Sequence, residues 1–383
     1  MKVAVIGAGI GGLATAVALH RGGIEVRCFE QARVLAEVGA GITLAPNGLR
    51  VLRHLGLADA LDGMGSPIAN RVISLADGTE VANVPLVTDG SRSELVGMHR
   101  ADLFEMLLSA LPDDVLALDH RCTGFDQDDD AATVRFADGA RHEAVVVIAA
   151  DGIHSSLQRF VVPPAMPVHS GSTAYRGTLP SAAIGWPAGR FQLWMGPGRH
   201  FLVYPLRADQ LVNYVGFVST SEEARESWSA PGDPRDLAAA FAGFDETVVR
   251  IIDAIDSTFT WGLYDREPLP CWTAGRLALL GDAAHPMLPH AGQGANQALE
   301  DAVTVATLLA RADRATVPRA LARYAEIRQP RTARLQQSSR SNGSRFDGGG
   351  GPGGPPVPDD TGWIHDHDAV AVAEEQAAAL GRP

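Results

Sequence analysis

Six consecutive residues near the N-terminus, Gly7-Ala8-Gly9-Ile10-Gly11-Gly12, have the glycine spacing of a dinucleotide-binding turn. Gly7 permits a tight turn, Gly9 lets a pyrophosphate approach the backbone, and Gly12 lets a helix pack closely on a strand. The N-terminus of the following helix would then stabilise the phosphate charge. An apolar run precedes the motif and a helical pattern follows it, so the context favours a bound dinucleotide over a chance glycine turn.

A second polar position lies where the next strand pattern ends, at Glu30 followed by Gln31. A carboxylate at this point accepts hydrogen bonds from a ribose diol and repels a 2′-phosphate. The predicted ligand is therefore FAD or NAD rather than NADP.

Two more apolar runs end in aspartates. Asp151 opens the stretch "DGIHSSLQR", which by itself could equally be a strand-to-helix turn. Asp282 follows the run at Leu277–Leu280 and could accept from a ribityl or ribose hydroxyl, or simply cap the next segment. Each motif read alone leaves both interpretations open.

The segment after Asp282 combines a glycine-rich turn with a helical pattern. Gly292, Gly294 and Ala295 stand where the helix would begin. Free backbone N–H groups at a helix N-terminus suit a developing negative charge on a flat ring, such as the edge of a reduced flavin.

The composition limits which partners and which cellular compartment are expected. The chain has 32 Lys and Arg against 45 Asp and Glu, a net charge of −13, and no basic cluster. We therefore expect neither nucleic acid nor a membrane as a partner. The three cysteines are scattered, no apolar run reaches membrane-spanning length, and we expect a cytoplasmic protein.

The elements that must position these residues begin with a βαβ unit, formed by strands at Lys2–Ile6 and Glu25–Glu30 and a helix at Ile10–Arg21. A buried strand is predicted at Ala144–Ala150. Further helices are predicted at Asn47–Leu61, Arg100–Leu111 and Gln293–Ala310, and hairpin strands at Val72–Ala82 and Thr133–Phe136.

The sequence pattern changes between about Ser170 and Ser219, where runs of aromatic and β-branched residues alternate with turn residues. This pattern predicts an antiparallel sheet inserted into an α/β chain, so the fold class is mixed α/β and α+β with a Rossmann-type domain. We assign residues 1–70, 96–168 and 262–340 to a discontinuous FAD-binding domain, 71–95 and 169–261 to a substrate domain, and 341–383 to a Gly/Pro-rich linker and tail.

Taken together, the three motifs resemble those of the single-component flavoprotein aromatic hydroxylases, which include the p-hydroxybenzoate and salicylate hydroxylases. The stretches "VGAGITLAPNGLRVLRHLGL", "HRADL", "YRGTLP" and "WTAGRLALLGDAAHPMLPHAGQGANQALEDA" are similar to the branch of salicylate, 3-hydroxybenzoate and 6-hydroxynicotinate hydroxylases. The resemblance covers residues 1 to about 337.

This resemblance implies a p-hydroxybenzoate hydroxylase-like fold with one extended FAD. Its adenine end would lie at residues 7–12 and Glu30, and its flavin at Asp282 and residues 292–295, with Arg100 beside the ring. The Asp151 stretch would serve both FAD and a transient NADH or NADPH, for which the chain has no second glycine fingerprint.

The implied activity is the hydroxylation of a small phenolic or acidic aromatic substrate. NAD(P)H would reduce FAD, O2 would give a flavin C4a-hydroperoxide, and the aromatic ring would take the distal oxygen. We expect a small aromatic partner and a monomer or homodimer.

Candidate bases that would deprotonate a phenol are Tyr204, His200, His290 and Tyr175. Tyr204 resembles a catalytic tyrosine of the 6-hydroxynicotinate enzymes, or its neighbour, and could instead be a core tyrosine. Strand alternation places Leu202 and Tyr204 on one face, with Phe201 and Val203 on the other.

Gln293 is the second polar residue expected at the substrate, and Arg176 could clamp a carboxylate or form a structural ion pair. Two positions depart from the relatives. Val203 stands where the 3-hydroxybenzoate branch has a histidine, and Thr43 stands where the 6-hydroxynicotinate branch has one, so the substrate is left open.

Three other functions remain open at this point. One is an FAD-dependent epoxidase, oxidase or reductase acting on an apolar or natural-product substrate, for which a wholly apolar pocket is expected. The others are an NAD-dependent dehydrogenase and a non-enzymatic flavin-binding protein. The run His365-Asp366-His367-Asp368 lacks further ligands at fixed spacing, so no metal site is predicted.

Overall fold

A computed structural model describes residues 1–35, 40–87, 95–164, 166–220, 230–348 and 361–380. Its strands, numbered in chain order, are β1 Lys2–Ile6, β2 Glu25–Phe29, β3 Gly41–Leu44, β4 Ser66–Pro67, β5 Asn70–Leu75, β6 Glu80–Pro85, β7 Val96–His99, β8 Leu116–Ala117, β9 Cys122–Gln127, β10 Ala132–Phe136, β11 Arg141–Ala144, β12 Val146–Ala149, β13 Val168–Pro180, β14 Arg190–Gly196, β15 Arg199–Leu206, β16 Leu211–Ser219, β17 Ala230–Gly232, β18 Thr258–Asp265, β19 Thr273–Ala274 and β20 Leu277–Leu279.

The helices are α1 Ile10–Arg21, α2 Pro46–His54, α3 Ala58–Met64, α4 Arg100–Ser109, α5 Ser181–Ile184, α6 Pro234–Ala240, α7 Glu246–Asp253, α8 Gly294–Leu309, α9 Val317–Asp347, α10 Gly362–His365 and α11 Ala369–Leu380. No helix within these described ranges is long and apolar enough to cross a bilayer.

A six-stranded sheet forms the first layer, in the order β19-β20-β12-β1-β2-β8. Its central strands are parallel and almost fully buried, as their continuous apolar sequences predict. Since parallel strands end at the same edge, Gly7, Asp151 and Gly281 come together beyond β1, β12 and β20. The predicted βαβ opening is confirmed.

An eight-stranded sheet, in the order β17-β18-β13-β16-β15-β14-β5-β6, forms the second layer. It is largely antiparallel, with one parallel pair between β5 and β14. One face packs under α6 and α7 in an apolar cluster that contains Phe201 and Val203. The opposite face carries Leu202 and Tyr204, so the predicted strand alternation is confirmed.

A small three-stranded sheet, β3-β7-β4, lies where the two layers meet. The backbone N–H of Gly41 in β3 donates to Asn213 Oδ1 in β16 at 2.7 Å. A Cβ added at Gly97 in β7 would lie 2.1 Å from the carbonyl oxygen of Pro205. A Cβ added at Gly41 would lie 2.7 Å from the Cβ of Asn213, so close packing requires glycine at both positions.

Two predicted boundaries are wrong. The single helix expected at Asn47–Leu61 is two helices, because Gly56 adopts a positive φ of 68° after α2 and a turn precedes α3. The linker expected from residue 341 begins later, because α9 continues to Asp347, where the Asp347 carbonyl accepts from Gly198 N at 2.6 Å. Residues 349–360 of that linker lie outside the described residues.

The C-terminal segment docks through arginines that bind the end of α10. Arg331 donates to the carbonyl oxygens of Trp363 and Ile364, each at 2.8 Å. Arg50 donates to those of His365 and His367 at 2.7 and 2.9 Å. Cations at a helix C-terminus satisfy unpaired carbonyls and the helix dipole, which fixes α10 against α2 and α9.

We expect Arg331→Met to destabilise the protein by about 3 kcal/mol, because Arg331 also pairs with the buried carboxylate of Glu300. Denaturant unfolding would measure this loss. The matched control is Arg334→Met, since Arg334 is exposed and only stacks over the Trp363 ring at 3.7 Å, a contact worth about 1 kcal/mol. Equal losses in the two variants would contradict the docking role.

Candidate active site

The glycine turn between β1 and α1 has the geometry that its sequence predicts. Gly7 has a φ of 100°, and a Cβ at Gly12 would lie 1.9 Å from the Gly7 carbonyl oxygen, so strand and helix meet at backbone distance. A Cβ at Gly9 would meet no atom within 4 Å. The open side of Gly9 therefore faces free space at the N-terminus of α1, where a pyrophosphate fits.

The carboxylate of Glu30 lies beside this turn. It accepts from the backbone N–H of Ala8 and of Ala32, each at 2.8 Å. These bonds fix the carboxylate while leaving lone pairs for a ribose diol. Gln31 is exposed next to it.

The Asp151 stretch is tied to the next strand end. Asp151 Oδ2 accepts from the N–H of Ser156 at 2.8 Å, and burial raises the pKa of the carboxyl. The buried Gln158 donates to the carbonyl oxygen of Ala283 at 3.0 Å and accepts from Arg266 at 2.8 Å. Asp151 and Asp282 are thereby held on one wall of the same cleft.

Asp282 lies in a 3₁₀ turn, Gly281–Ala283, that follows β20. Asp282 is exposed, as expected for a residue that lines an open cleft. Desolvation raises the pKa of Asp282, and the nearby His285 and Arg100 oppose the shift. Arg100, the first residue of α4, is therefore close enough to Asp282 for its charge to act on that carboxyl.

The N-terminus of α8 forms the far end of the cleft. Gly292 has a φ of 62°, and α8 then begins at Gly294 with Ala295 in its first turn. Within the described chain, no side chain caps this helix and no acidic residue lies in its first turn. The N–H groups are therefore available to an anion, which suits the flavin edge.

Asn296 anchors this helix end to β3. Its Nδ2 donates to the carbonyl oxygens of Thr43 and Gly292, at 3.1 and 2.9 Å, and its Oδ1 accepts from Ala45 N at 3.0 Å. Thr43 therefore lies directly against the flavin end of the cleft. The residues along the cleft fit an extended FAD at both its phosphate and its flavin ends.

The face of the eight-stranded sheet opposite α6 and α7 supplies a second wall. One row across it consists of Leu193, Leu202, Val215, Arg176 and Phe259. Arg176 is 5% exposed and lies 5.5 Å from the ring of Trp261. The row is apolar apart from the Arg176 guanidinium.

Tyr204 lies at the same face, where the two layers meet. Its ring would be 2.9 Å from a Cβ at Gly41 and 3.2 Å from one at Gly97. Burial raises the pKa of Tyr204 far above its usual range, and the charge of Arg176 partly opposes this shift. The phenol is therefore protonated at neutral pH and is a hydrogen-bond donor.

His200 and His290 form a separate cluster. Their ring centroids are 5.2 Å apart, and His200 Nδ1 donates to Asp347 Oδ1 at 2.8 Å. Burial lowers the pKa of His290 to about 3 and also lowers that of His200, which Asp347 opposes. Both rings are neutral at physiological pH. His200 and Tyr204 are four steps apart along β15, which is about 13 Å.

Tyr175 does not reach this site. It packs against the apolar cluster under α6 and α7, on the other face of the sheet. Its expected role as a base is therefore wrong, because neighbouring strand residues point to opposite faces.

A buried polar network beneath the flavin end was missed from the sequence. Glu300 and Asp301 are fully buried and pair with Arg328, and Glu300 also pairs with Arg331 at 2.8 Å. Burial alone would raise the pKa of each carboxyl, but the paired cations hold both well below their usual range. Two adjacent acids inside an apolar helix pattern were the available sequence signal.

The histidines of the tail have structural partners. The ring of His367 lies 3.7 Å from Glu300, and the carbonyl oxygens of His365 and His367 accept from Arg50. Among the described residues, no group of three His, Cys, Asp or Glu side chains could hold a metal ion.

The two-layer fold and the arrangement of Gly9, Glu30, Asp282 and the start of α8 are those expected of an FAD-dependent enzyme. A family model described as an FAD binding domain matches residues 1–339. This chain belongs to the single-component FAD-dependent aromatic hydroxylases, which are flavoprotein monooxygenases using NAD(P)H and O2. An NAD-dependent dehydrogenase is thereby excluded.

Individual relatives agree with this family. The chain is 42% identical to the 3-amino-4-hydroxybenzoate 2-monooxygenase PtnB3 of Streptomyces platensis over 353 residues, covering 90% of this chain and 88% of that one. It is 35% identical to a 6-hydroxynicotinate 3-monooxygenase of Bordetella bronchiseptica, covering 89% and 91%. A salicylate hydroxylase substrate complex superposes with a TM-score of 0.82 at 28% identity, covering 100% and 98%. The p-hydroxybenzoate hydroxylase-like fold is confirmed.

We expect Gly9→Ala to weaken FAD binding at least about tenfold without destabilising the apoprotein, because the added methyl points into the free space kept for the pyrophosphate. Flavin fluorescence titration and thermal unfolding would measure the two effects. Gly12→Ala is the contrasting variant, since its methyl collides with the Gly7 carbonyl and destabilises the apoprotein by about 1–3 kcal/mol or more. Unchanged FAD affinity in Gly9→Ala would contradict this placement.

Stability should fall as pH decreases below the ordinary histidine pKa of about 6.5. The pKa of His290 is lowered to about 3 and that of His200 is also lowered, so the unfolded chain binds more protons in this range. Each such histidine costs up to about 1.4 kcal/mol per pH unit. Unfolding free energies of FAD-saturated protein from about pH 7 to pH 5 would measure the slope.

His200→Gln tests the origin of this slope, because the amide can still donate to Asp347 but does not titrate. A shallower slope is expected. His54→Gln, which changes an exposed histidine, is the control. If His200→Gln and His54→Gln keep the same steep slope, His200 is not its cause.

Proposed function

We propose that the enzyme hydroxylates a phenolic aromatic acid, with aminohydroxybenzoates as the first candidates. The observation that carries this proposal is Arg176, a buried cation on the same face of the sheet as Tyr204. Relatives named 3-amino-4-hydroxybenzoate 2-monooxygenases, at 40–42% identity, support the choice of acid.

Arg176 is proposed to bind the carboxylate of the substrate. A guanidinium presents two parallel N–H donors to a carboxylate, and this pairing is stronger away from water. The flanking Leu202 and Val215 would cover the ring and exclude water. The substrate would therefore be oriented at one end by charge and along its length by apolar contact.

Tyr204 is proposed to donate a hydrogen bond to the phenolic oxygen of the substrate. Because its own phenol stays protonated, it would stabilise a substrate phenolate rather than remove the proton. A phenolate is the better nucleophile. The expected roles of His200, His290 and Gln293 at the substrate stay predictions, although a pKa lowered to about 3 makes the His290 ring a weak proton acceptor.

Bound FAD supplies the chemistry of oxygen activation after reduction by NAD(P)H. The chain contributes the free N–H groups at the start of α8, which would stabilise negative charge on the flavin edge. An epoxidase or oxidase acting on an apolar compound has no support among the relatives.

We further propose a cytoplasmic enzyme that works as a monomer or homodimer. Cys28, Cys122 and Cys271 are free thiols, which supports a reducing compartment.

The test is substrate-stimulated NAD(P)H oxidation with product identification, over a panel of hydroxybenzoates, aminohydroxybenzoates, hydroxypyridine acids and the matching phenols without a carboxylate. We expect Arg176→Met to raise KM for the acids about tenfold to a hundredfold, because a charge-assisted pair is lost. Arg176→Lys should retain part of the affinity.

The neutral phenols provide the control within each variant, since Arg176→Met should leave their KM unchanged. Equal effects of Arg176→Met on acids and on neutral phenols would contradict the clamp. Oxidation stimulated by an acid with hydrogen peroxide as the only product would show that the acid is an effector, not the substrate.

A further inference from the structure

The side-chain amide of Gln293 has one orientation that its neighbours impose. Gln293 precedes the first residue of α8, at the flavin end of the cleft, and is 2% exposed. Its Oε1 accepts from Asn47 Nδ2 at 3.0 Å and from Gln297 Nε2 at 3.2 Å. No described residue accepts from its Nε2.

The orientation of Gln297 follows from the charged groups on its two sides. Arg328 has only donors, so Gln297 must present its oxygen to it, and Oε1 accepts from Arg328 Nη2 at 2.7 Å. The ionised Glu300 has only acceptors, so Gln297 must present its NH2 group to it, at 2.9 Å. The second N–H of Gln297 then meets Gln293, which must present its oxygen.

The contacts of Asn47 independently fix the same orientation of the Gln293 amide. Its NH2 group donates to Glu300 Oε1 at 2.6 Å and to Gln293 Oε1 at 3.0 Å. Because the carboxylate of Glu300 can only accept, this amide cannot be reversed. Two donors therefore converge on the oxygen of Gln293, and its NH2 group is turned away from the network.

We propose that this relay, Arg328 to Gln297 to Gln293 with Glu300 and Asn47, holds the NH2 group of Gln293 toward the FAD cleft as a fixed donor to the flavin ring. Gln293 touches the flavin, whereas Gln297, Glu300 and Asn47 are positioning residues. The donor adds to the N–H groups at the start of α8, so it stabilises the ring more strongly when reduction gives it negative charge.

The network beneath is suited to this task because it is closed. Glu300 also receives Arg331, which in turn binds the carbonyl oxygens of Trp363 and Ile364. The Glu300 carboxylate therefore stays ionised and stays in place. The side-chain amides that donate to it are shielded from water and keep one orientation.

The decisive measurement is the reduction potential of bound FAD, by dye-coupled photoreduction of the holoenzyme, with the FAD dissociation constant measured alongside. In Gln293→Met, which keeps the length but removes the donor, we expect reduced FAD to lose about tenfold in affinity relative to oxidised FAD. For a two-electron couple this fold-change lowers the potential by about 30 mV.

Gln297→Met removes one of the two donors that orient Gln293, so it should lower the potential in the same direction by a smaller amount. Thr304→Val is the matched control, because Thr304 is buried on the same helix but donates only to the Glu300 backbone carbonyl, at 2.7 Å. Its potential should equal that of the wild type.

An unshifted potential in FAD-loaded Gln293→Met overturns the donor role. A shift in Gln293→Met with a wild-type value in Gln297→Met overturns the relay. If Gln293→Met does not retain FAD, Gln293→Asn takes its place, since asparagine keeps an amide but withdraws it by one methylene. A lowered potential in Gln293→Asn supports the proposal, and an unchanged potential rejects it.

Discussion

The flavin end of the site depends on two neighbouring carboxylates buried in the middle of α8. Asp301 accepts from Gly281 N at 3.0 Å and from His285 Nε2 at 2.5 Å, and so holds the turn that carries Asp282. Glu300 holds the amides that meet Gln293. An unpaired charge at this depth would cost several kcal/mol, so Arg328 is as necessary to the cleft as the residues that line it.

The second constraint is that one sheet serves two purposes. Its outer face forms an apolar core under α6 and α7, which makes the sheet rigid. Its inner face is thereby freed to present side chains toward the cleft, and strand alternation lets Arg176 and Tyr204 stand among apolar neighbours. Substrate preference can change on this face without disturbing the core behind it.

The dinucleotide half of the site was predictable because local sequence controls it. Gly7 and Gly12 are required by the short distance between the backbones of β1 and α1. Asp282 follows a strand whose apolar sequence already indicates that it is buried. The substrate half of the site was harder to predict, because the face that a strand residue occupies depends on the neighbouring strands and helices. For this reason Tyr175 was assigned to the wrong face. The pairing of Glu300 with Arg328 joins two helices and has no local signature.

The length of α9 affects how the two sheet layers can move relative to each other. A helix of 31 residues is about 46 Å long. The buried Arg328 and Arg331 lie near the middle of α9, and its last residue reaches the β14–β15 hairpin, where the Asp347 carbonyl accepts from Gly198 N. It acts as a strut across both layers. Because α9 contacts both sheets, we expect it to resist rotation of one sheet against the other, so that substrate and product enter and leave through movements of individual loops.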